Sequence, residues 1–592
     1  MFSRILCALL LIGVVTCANN RFASVVIGHD DTDFSIKHTF NKDATAFGNV
    51  IDGVSEEGFR RLHIDTSSSE KPVRVAYAAG VLEGYLTAQS IYENYMNSFD
   101  SNQYLFNNTV CPPMQTYMNT NYNFLSTYPK EHLKDPYWNR VYLAMVQMEG
   151  IVDGYNEGRG SNPKLSSIDI FRLNMIGECD DLEGVLCPAT AALKDIDTRM
   201  HCTGAVRMLP DKSDIFMSHD TWSGYSTMNR VMKDYRLNLG TPSNAVSFSS
   251  YPGMTYSTDD FYITEQLTVI ETTFHVWNTS LYDYLDAATT VPTFIRAQVA
   301  NSLATNGAEW AEIFKRRNSG TYNNQWLVLD LKHFEAGHSL MPWTVTRLEQ
   351  MPGPYVVYED ATAELEQVGW IASINAPAIK YIQDVSGYST LPPAQANYFA
   401  YKTQARWDIF SHEMDDVTSY DLFKKFMRHN SWKTDTYARG DPGGSIASRY
   451  DLRPAPVAGH VAAPFGCTDS KTTRVGHFKT RTFDVVVGPT TDGDLPHWVY
   501  STAKWDVPHR GIPDDMSVFD YVAFDGTGPY APTALRWYMI VAGVLVLVAF
   551  TLLMCAACGV LVGSTTAWAI WHKKRGSSAA DLEYQPIDME ED

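Results

Sequence analysis

The sequence predicts an α+β sandwich in which strands are layered between helices, and three observations carry that reading. Apolar residues at helical spacing fill Pro72 to Phe99 and Tyr137 to Gly158, with a third helix over Ser166 to Ile176. After Leu193 the texture changes. Cys202 to Met208 and Ile215 to Trp222 are short alternating runs joined by Pro210-Asp211-Lys212-Ser213-Asp214, the pattern of a β-hairpin. The two textures then mix: Phe261 to Val276 is rich in β-branched and aromatic residues, Pro292 to Arg316 returns to helix, and Trp326 to Leu331 to strand. Elements that are apolar on one side must stack to bury that side, which gives layers.

The ends of the chain address it. Arg4, the apolar run Ile5 to Val15 and Thr16-Cys17-Ala18 describe a secretory signal over residues 1–18, too short to cross about 30 Å of hydrocarbon. A second run, Trp537 to Trp571, has no charged residue, and its densest part, Ile540 to Val562, has the length of one transmembrane helix. Arg536 precedes it and Lys573-Lys574-Arg575 follow, so the expected topology is type I, with residues 572–592 as a cytoplasmic tail. Tyr584-Gln585-Pro586-Ile587 in that tail resembles the tyrosine-based signals that clathrin adaptors read, pointing to the endosomal or lysosomal membrane. Secretion and the cell surface are the other destinations considered. The sequons at Asn107 and Asn278 fit a glycosylated lumenal part. A formal charge of −20 leaves no basic footprint for nucleic acid and suits an acidic compartment.

Nine cysteines divide unevenly. Cys7 and Cys17 leave with the signal, and Cys555 and Cys558 lie in the second apolar run. Cys111, Cys179, Cys187, Cys202 and Cys467 remain, an odd set, so one thiol has no partner within the chain. Cys179 and Cys187, close in sequence, are the disulfide candidates; the pairing of Cys111 and Cys467 stays open. Cys202 is the best candidate for the odd thiol. It lies in His201-Cys202-Thr203-Gly204-Ala205-Val206-Arg207, and His219-Asp220-Thr221-Trp222 ends the next strand. No compact ligand cluster surrounds His333 or His338, so neither a metal nor another cofactor is expected.

These segments resemble the phospholipase B-like family. The likeness runs through Ala79-Gly80-Val81-Leu82-Glu83-Gly84-Tyr85-Leu86, His201-Cys202-Thr203-Gly204, Ser218-His219-Asp220-Thr221-Trp222, Met228-Asn229-Arg230, Arg428-His429-Asn430 and Ile446-Ala447-Ser448-Arg449-Tyr450-Asp451-Leu452. It spans about residues 70 to 530. The resemblance implies the four-layer αββα sandwich of the N-terminal-nucleophile hydrolases, and a precursor cut between His201 and Cys202. Residues 19–201 would then form an N-terminal, largely helical fragment, and 202–535 the fragment carrying the nucleophile. A thiol at a new N-terminus has its own α-amine as base. The resemblance also assigns Asn430 as an oxyanion donor, although the flanking Arg428, His429 and Ser431 depart from the family's usual tyrosine and aspartate.

Arg449 is the cation expected to favour the thiolate, and His219 the residue holding substrate or amine. Trp222 forms an apolar wall, and Thr272 or Thr273 completes the pocket. The expected chemistry is removal of acyl chains from glycerophospholipids. Two alternatives remain open: an amidase for N-acyl lipids or small peptides, and a catalytically silent lumenal binding protein. Lipid or N-acyl substrate, the membrane and a clathrin adaptor are the expected partners.

Overall fold

Two β-sheets organise residues 1–529, the first of two units into which the chain divides. The computed structural model describes residues 20–99, 110–188, 202–454 and 460–526, with Trp568 and Trp571. The larger sheet has eleven strands, running from Val356–Asp360 at one edge to Phe34–Lys37 at the other. The smaller has six, in the order Trp370–Ser373, Thr203–Met208, Ile215–Gly224, Phe465–Arg474, Phe483–Val487 and Val522–Phe524.

Alternation along each strand sorts its side chains between two cores. In Ile215–Gly224, Ile215 and Met217 enter a core shared with Phe59, Met232, Ile263, Ile270 and Leu327 of the large sheet. Phe216 points the other way, into a core with Ile409, Phe410 and Phe423 from helices Ala405–Glu413 and Tyr420–Met427. The far side of the large sheet receives helices Pro72–Leu86 and Gly307–Phe314 through Val81, Leu82, Trp310 and Phe314, packed on Val25, Leu62, Val231 and Trp326. Burying each such side chain stabilises the fold by roughly 1.5–3 kcal/mol.

Helix Pro72–Leu86 lies directly on helix Pro136–Gly158 because glycines meet there. A Cβ added at Gly80 would sit 2.0 Å from the Gln147 carbonyl oxygen, and one at Gly154 would sit 2.1 Å from that of Val81.

The most consequential difference from the sequence reading is at the start of the chain. Residues 20–66 form four strands, Asn20–Ile27, Phe34–Lys37, Ala46–Gly53 and Phe59–Thr66. Phe59–Thr66 pairs in parallel with Arg230–Arg236, in the register Phe59 to Arg230. The large sheet is therefore built from chain on both sides of Cys202. Ala46–Gly53 is buried over most of its length, so it shows no alternation for a pattern search to find.

Two expectations are corrected. Among the described residues no helix is long and apolar enough to cross a membrane. Of the span expected over 537–571, only Trp568 and Trp571 are described. That expectation rested on hydropathy and length alone. The disulfide is also different: Cys187 pairs with Cys111, 76 residues away, with Cα atoms 6.2 Å apart. Cys179 sits on helix Ile176–Leu186 and its thiol donates to the Met175 carbonyl. The helix turns that thiol inward, so closeness in sequence does not become closeness of sulfurs. The signal over 1–18, Asn107, His201, Tyr584 and Ile587 lie outside the described residues, whereas Asn278 is exposed.

Candidate active site

Cys202 stands just before strand Thr203–Met208, buried, with φ of 91°. That region is rarely adopted by a residue with a side chain and costs of order 1–3 kcal/mol, so the surroundings must hold it. Arg406, near the start of helix Ala405–Glu413, does so. Its Nη1 donates to the Cys202 carbonyl at 2.7 Å and to Thr203 Oγ1 at 3.1 Å. Nη2 donates to the Ile374 carbonyl at 2.9 Å and to Asn375 Oδ1 at 2.8 Å, and Nε to Gln404 Oε1 at 3.1 Å. The guanidinium also lies 4.3 Å over the Trp222 ring. Every donor of one fixed fork is used to position the residue that carries the thiol.

His219 reaches the same place through strand register. It sits opposite Gly204 on one side and Lys471 on the other. Lys471 Nζ lies 3.0 Å from His219 Nδ1 and contacts Thr221 Oγ1 at 2.5 Å, Asp469 Oδ1 at 2.6 Å and Asp259 Oδ2 at 3.0 Å. Arg230 closes the network on Asp259 at 2.5 Å and Asp469 at 2.8 Å. Burial and then the Lys471 charge hold the imidazole pKa well below its usual range. An ammonium at Nδ1 places the imidazole proton on Nε2.

Glu271, on strand Thr268–Thr273, is a residue the sequence reading did not single out. Its carboxyl, the His219 imidazole and the Cys202 sulfur bring one atom each to within 4.8 Å of one another. Tyr322 donates to its Oε1 at 2.8 Å, while Oε2 has no hydrogen-bond partner. Burial, followed by Asp260, pushes the Glu271 carboxyl well up. Burial and Glu271 in turn push the Cys202 thiol up, against the Trp222 main-chain N–H and Lys471. Only the fold could reveal Glu271, because 52 residues separate it from His219 and nothing local marks it.

The trio does not fit a metal. A cation on Nε2 would require the proton on Nδ1, where the Lys471 ammonium already sits 3.0 Å away. Glu413, His429 and Asp435 form the other cluster of this spacing among the described residues. There the imidazole lies 3.8 Å from Glu413, 3.2 Å from Asp435 and 3.6 Å from Asp492.

The remaining expected residues separate into two groups. Trp222 belongs to the site through Arg406, and it packs edge-on against Tyr450 at 6.2 Å. Thr272 and Thr273 both contact Asn375. Thr272 Oγ1 pairs with Ser373 Oγ at 2.8 Å and accepts from the Asn375 main chain at 3.2 Å; the Thr273 carbonyl accepts from Asn375 Nδ2 at 2.5 Å. Asn430 and Arg449 have other work. The Asn430 amide donates to the Pro442 carbonyl at 2.9 Å and to the Ala447 carbonyl at 2.6 Å, which uses both hydrogens on a loop. Arg449 forks onto Asp451 at 2.9 and 2.8 Å and donates to the carbonyls of Thr490 and Pro496. The asparagine and arginine that the structure brings to Cys202 are Asn375 and Arg406, and the cation acting on its thiol is Lys471.

Comparison with known proteins agrees with the span of this architecture. The phospholipase B family model matches residues 46–524. The chain is 33% identical to phospholipase B-like protein D of Dictyostelium discoideum over 532 residues, covering 85% of this chain and 91% of that protein. It is 31% identical to phospholipase B-like 1 of Bos taurus over 500 residues, 82% of this chain and 89% of that one. With phospholipase B-like 1 of Homo sapiens it shares 32% over 505 residues, 82% and 88% of the two chains. From the strands before Cys202 to the last strand of the smaller sheet, the chain belongs to the phospholipase B family.

Proposed function

We propose that this chain is an acyl hydrolase whose nucleophile is the Cys202 sulfur, activated by scission of the peptide bond between His201 and Cys202. The observation that carries the reading is the backbone at Cys202: a left-handed φ of 91°, clamped by Arg406 beside His219 and Glu271. The φ torsion of Cys202 exists only while His201 is attached, so scission removes the strain with the bond. In the uncut chain no group beside the thiol is poised as a base for repeated turnover. The Nδ1 lone pair of His219 faces the Lys471 ammonium, and burial raises the Glu271 carboxyl, which disfavours its charged form. The α-amine freed at Cys202 supplies what is missing.

In the first half-reaction the sulfur attacks the acyl carbonyl carbon. A C–S bond forms, the ester C–O bond breaks, and the thiol proton passes through the amine to the leaving alcohol. Water then cleaves the thioester, releasing the fatty acid and restoring the thiol. Asn375, oriented by Arg406 on its Oδ1, is our oxyanion donor, a contribution worth roughly 3–4 kcal/mol. Glycerophospholipid esters are the substrates we favour, in keeping with the names of the relatives. Amides are the second reading, because the activating step is itself the cleavage of an amide by the same sulfur.

An acidic working environment fits the interior. Burial pushes Glu178 and Glu349 up to about 7 and Asp181 to about 6, so all three are neutral at low pH. The test is N-terminal sequencing of purified protein held in acid, together with an ester and amide panel. A chain beginning at Cys202, absent from Cys202→Ala along with at least a thousandfold of the hydrolysis, is the expected result. An intact chain that hydrolyses nothing favours the binding-protein alternative, and an intact chain that remains active overturns the mechanism.

A further inference from the structure

We infer that the cavity beside Cys202 binds the acyl side of the substrate, and that it grips about the first seven carbons and no more; this rests on the hydrolase reading. The cavity has a volume of about 220 Å³ and shares Trp222, Asn375 and Arg406 with the nucleophile's surroundings. Its inner end is buried, formed by Trp222, Ile374 and Tyr450, and its mouth is exposed at Ala394, Asn397 and Arg439. The lining adjoins Cys202 through Arg406, whose Nη1 lies 2.7 Å from the Cys202 carbonyl, so an acyl chain held in the cavity runs outward from the nucleophile's residue.

The wall selects against a charged headgroup. Arg406 spends all its donors on protein acceptors. Arg439 is committed to Asp408 and to the carbonyls of Asn397 and Thr403. Asp441 is held by Arg453 and by the Tyr398 hydroxyl. Arg439 and Asp441 have partners of opposite charge and Arg406 has no N–H left to donate, so the cavity presents mainly ring faces and aliphatic surface.

The volume sets the reach. A water occupies roughly 30 Å³ of liquid and a methylene is of similar size, so the space holds about seven such groups. Carbons beyond these pass the mouth into solvent and gain nothing. Each carbon inside should raise kcat/KM by about fourfold, the ratio equivalent to burying one methylene.

The experiment is kcat/KM for p-nitrophenyl esters from acetyl to palmitoyl on the processed protein, with calorimetric binding of the matching free fatty acids to Cys202→Ala. We expect a rise of about fourfold per carbon to about seven carbons and then a plateau in both series. Gly444→Val narrows the space: a Cβ at Gly444 meets nothing closer than 3.5 Å, so the variant should fold and reach its plateau about two carbons earlier. A flat profile from acetyl onward, or a rise that continues unbroken to palmitoyl, overturns the inference while leaving the hydrolase reading intact. Fatty-acid binding with the expected break, in a wild-type chain that hydrolyses no ester or amide, sustains the cavity and removes the hydrolase.

Discussion

The surroundings of Cys202 draw on both sheets and those of Arg449 on the smaller sheet and its loops; both are buried and polar, yet they satisfy their atoms differently. Arg449 forks onto Asp451 and reaches two carbonyls, which leaves its charge nothing to offer a substrate. Around Cys202, His219 Nε2, Glu271 Oε2 and Thr273 Oγ1 lack hydrogen-bond partners, and both Cys202 and Asn375 have positive φ. Buried polar atoms without partners each cost roughly 1–3 kcal/mol. A fold tolerates that cost where the atoms are to meet something that comes and goes. Saturation of its own donors fits Arg449 to a building role, although Asn430 Oδ1 and Ser448 Oγ nearby also lack partners.

The sharpest way to break this comparison is at the clamp. Arg406→Met removes the fork while keeping the bulk, and we expect kcat to fall roughly a hundredfold through misplacement of Cys202, with KM less affected. If Arg406→Met keeps its kcat, Arg406 belongs with Arg449 and the distinction fails. The converse change, Arg449→Met, leaves Asp451 buried and unpaired and should cost about 3–5 kcal/mol in urea unfolding, with kcat per folded molecule unchanged. A loss of kcat without loss of stability would move Arg449 back into the site.

Two further measurements place both regions in their framework. Cys187→Ala opens the link to Cys111, whose ends are 76 residues apart, and should cost roughly 4 kcal/mol. Unchanged stability would show that the closed loop does not constrain the unfolded chain. The smallest effect is on pH. Glu178 and Glu349, raised by burial to about 7, bind protons more tightly folded than unfolded, so stability is full in acid and falls as pH rises from about 4.5 to about 7. Asp259, held low by Arg230 and Lys471 against burial, acts oppositely and loses its contribution only in stronger acid. The melting temperature should therefore be several degrees higher near pH 5 than at pH 7.5, and Glu178→Gln should flatten that slope. A slope unaltered in Glu178→Gln would assign the effect to other groups.

How far the site could be read from the chain follows from how local its signals are. Cys202 and His219 were legible because they share one hairpin, where register follows from strand alternation across a short turn. Trp222, and Thr272 and Thr273 as a pair, came from the same neighbourhood of motifs. The structure gives Asn430 and Arg449 partners other than Cys202, because an asparagine or arginine in a motif declares its chemistry but not its partners. The unusual neighbours of Asn430 were the one warning. Asn375, Arg406, Lys471 and Glu271 carry no local mark, and their distances from Cys202 along the chain put them beyond any spacing argument.

By itself the sequence determined the mixed layering, the hairpin that brings His219 to Cys202 and the family, because each rests on residue type and short-range periodicity. The tertiary structure alone decided that the first four strands complete the large sheet, that Cys187 seeks Cys111, and which arginine and asparagine reach the sulfur. Those outcomes depend on which buried donor finds which acceptor across hundreds of residues, and that pairing energy is defined only once the chain has closed on itself.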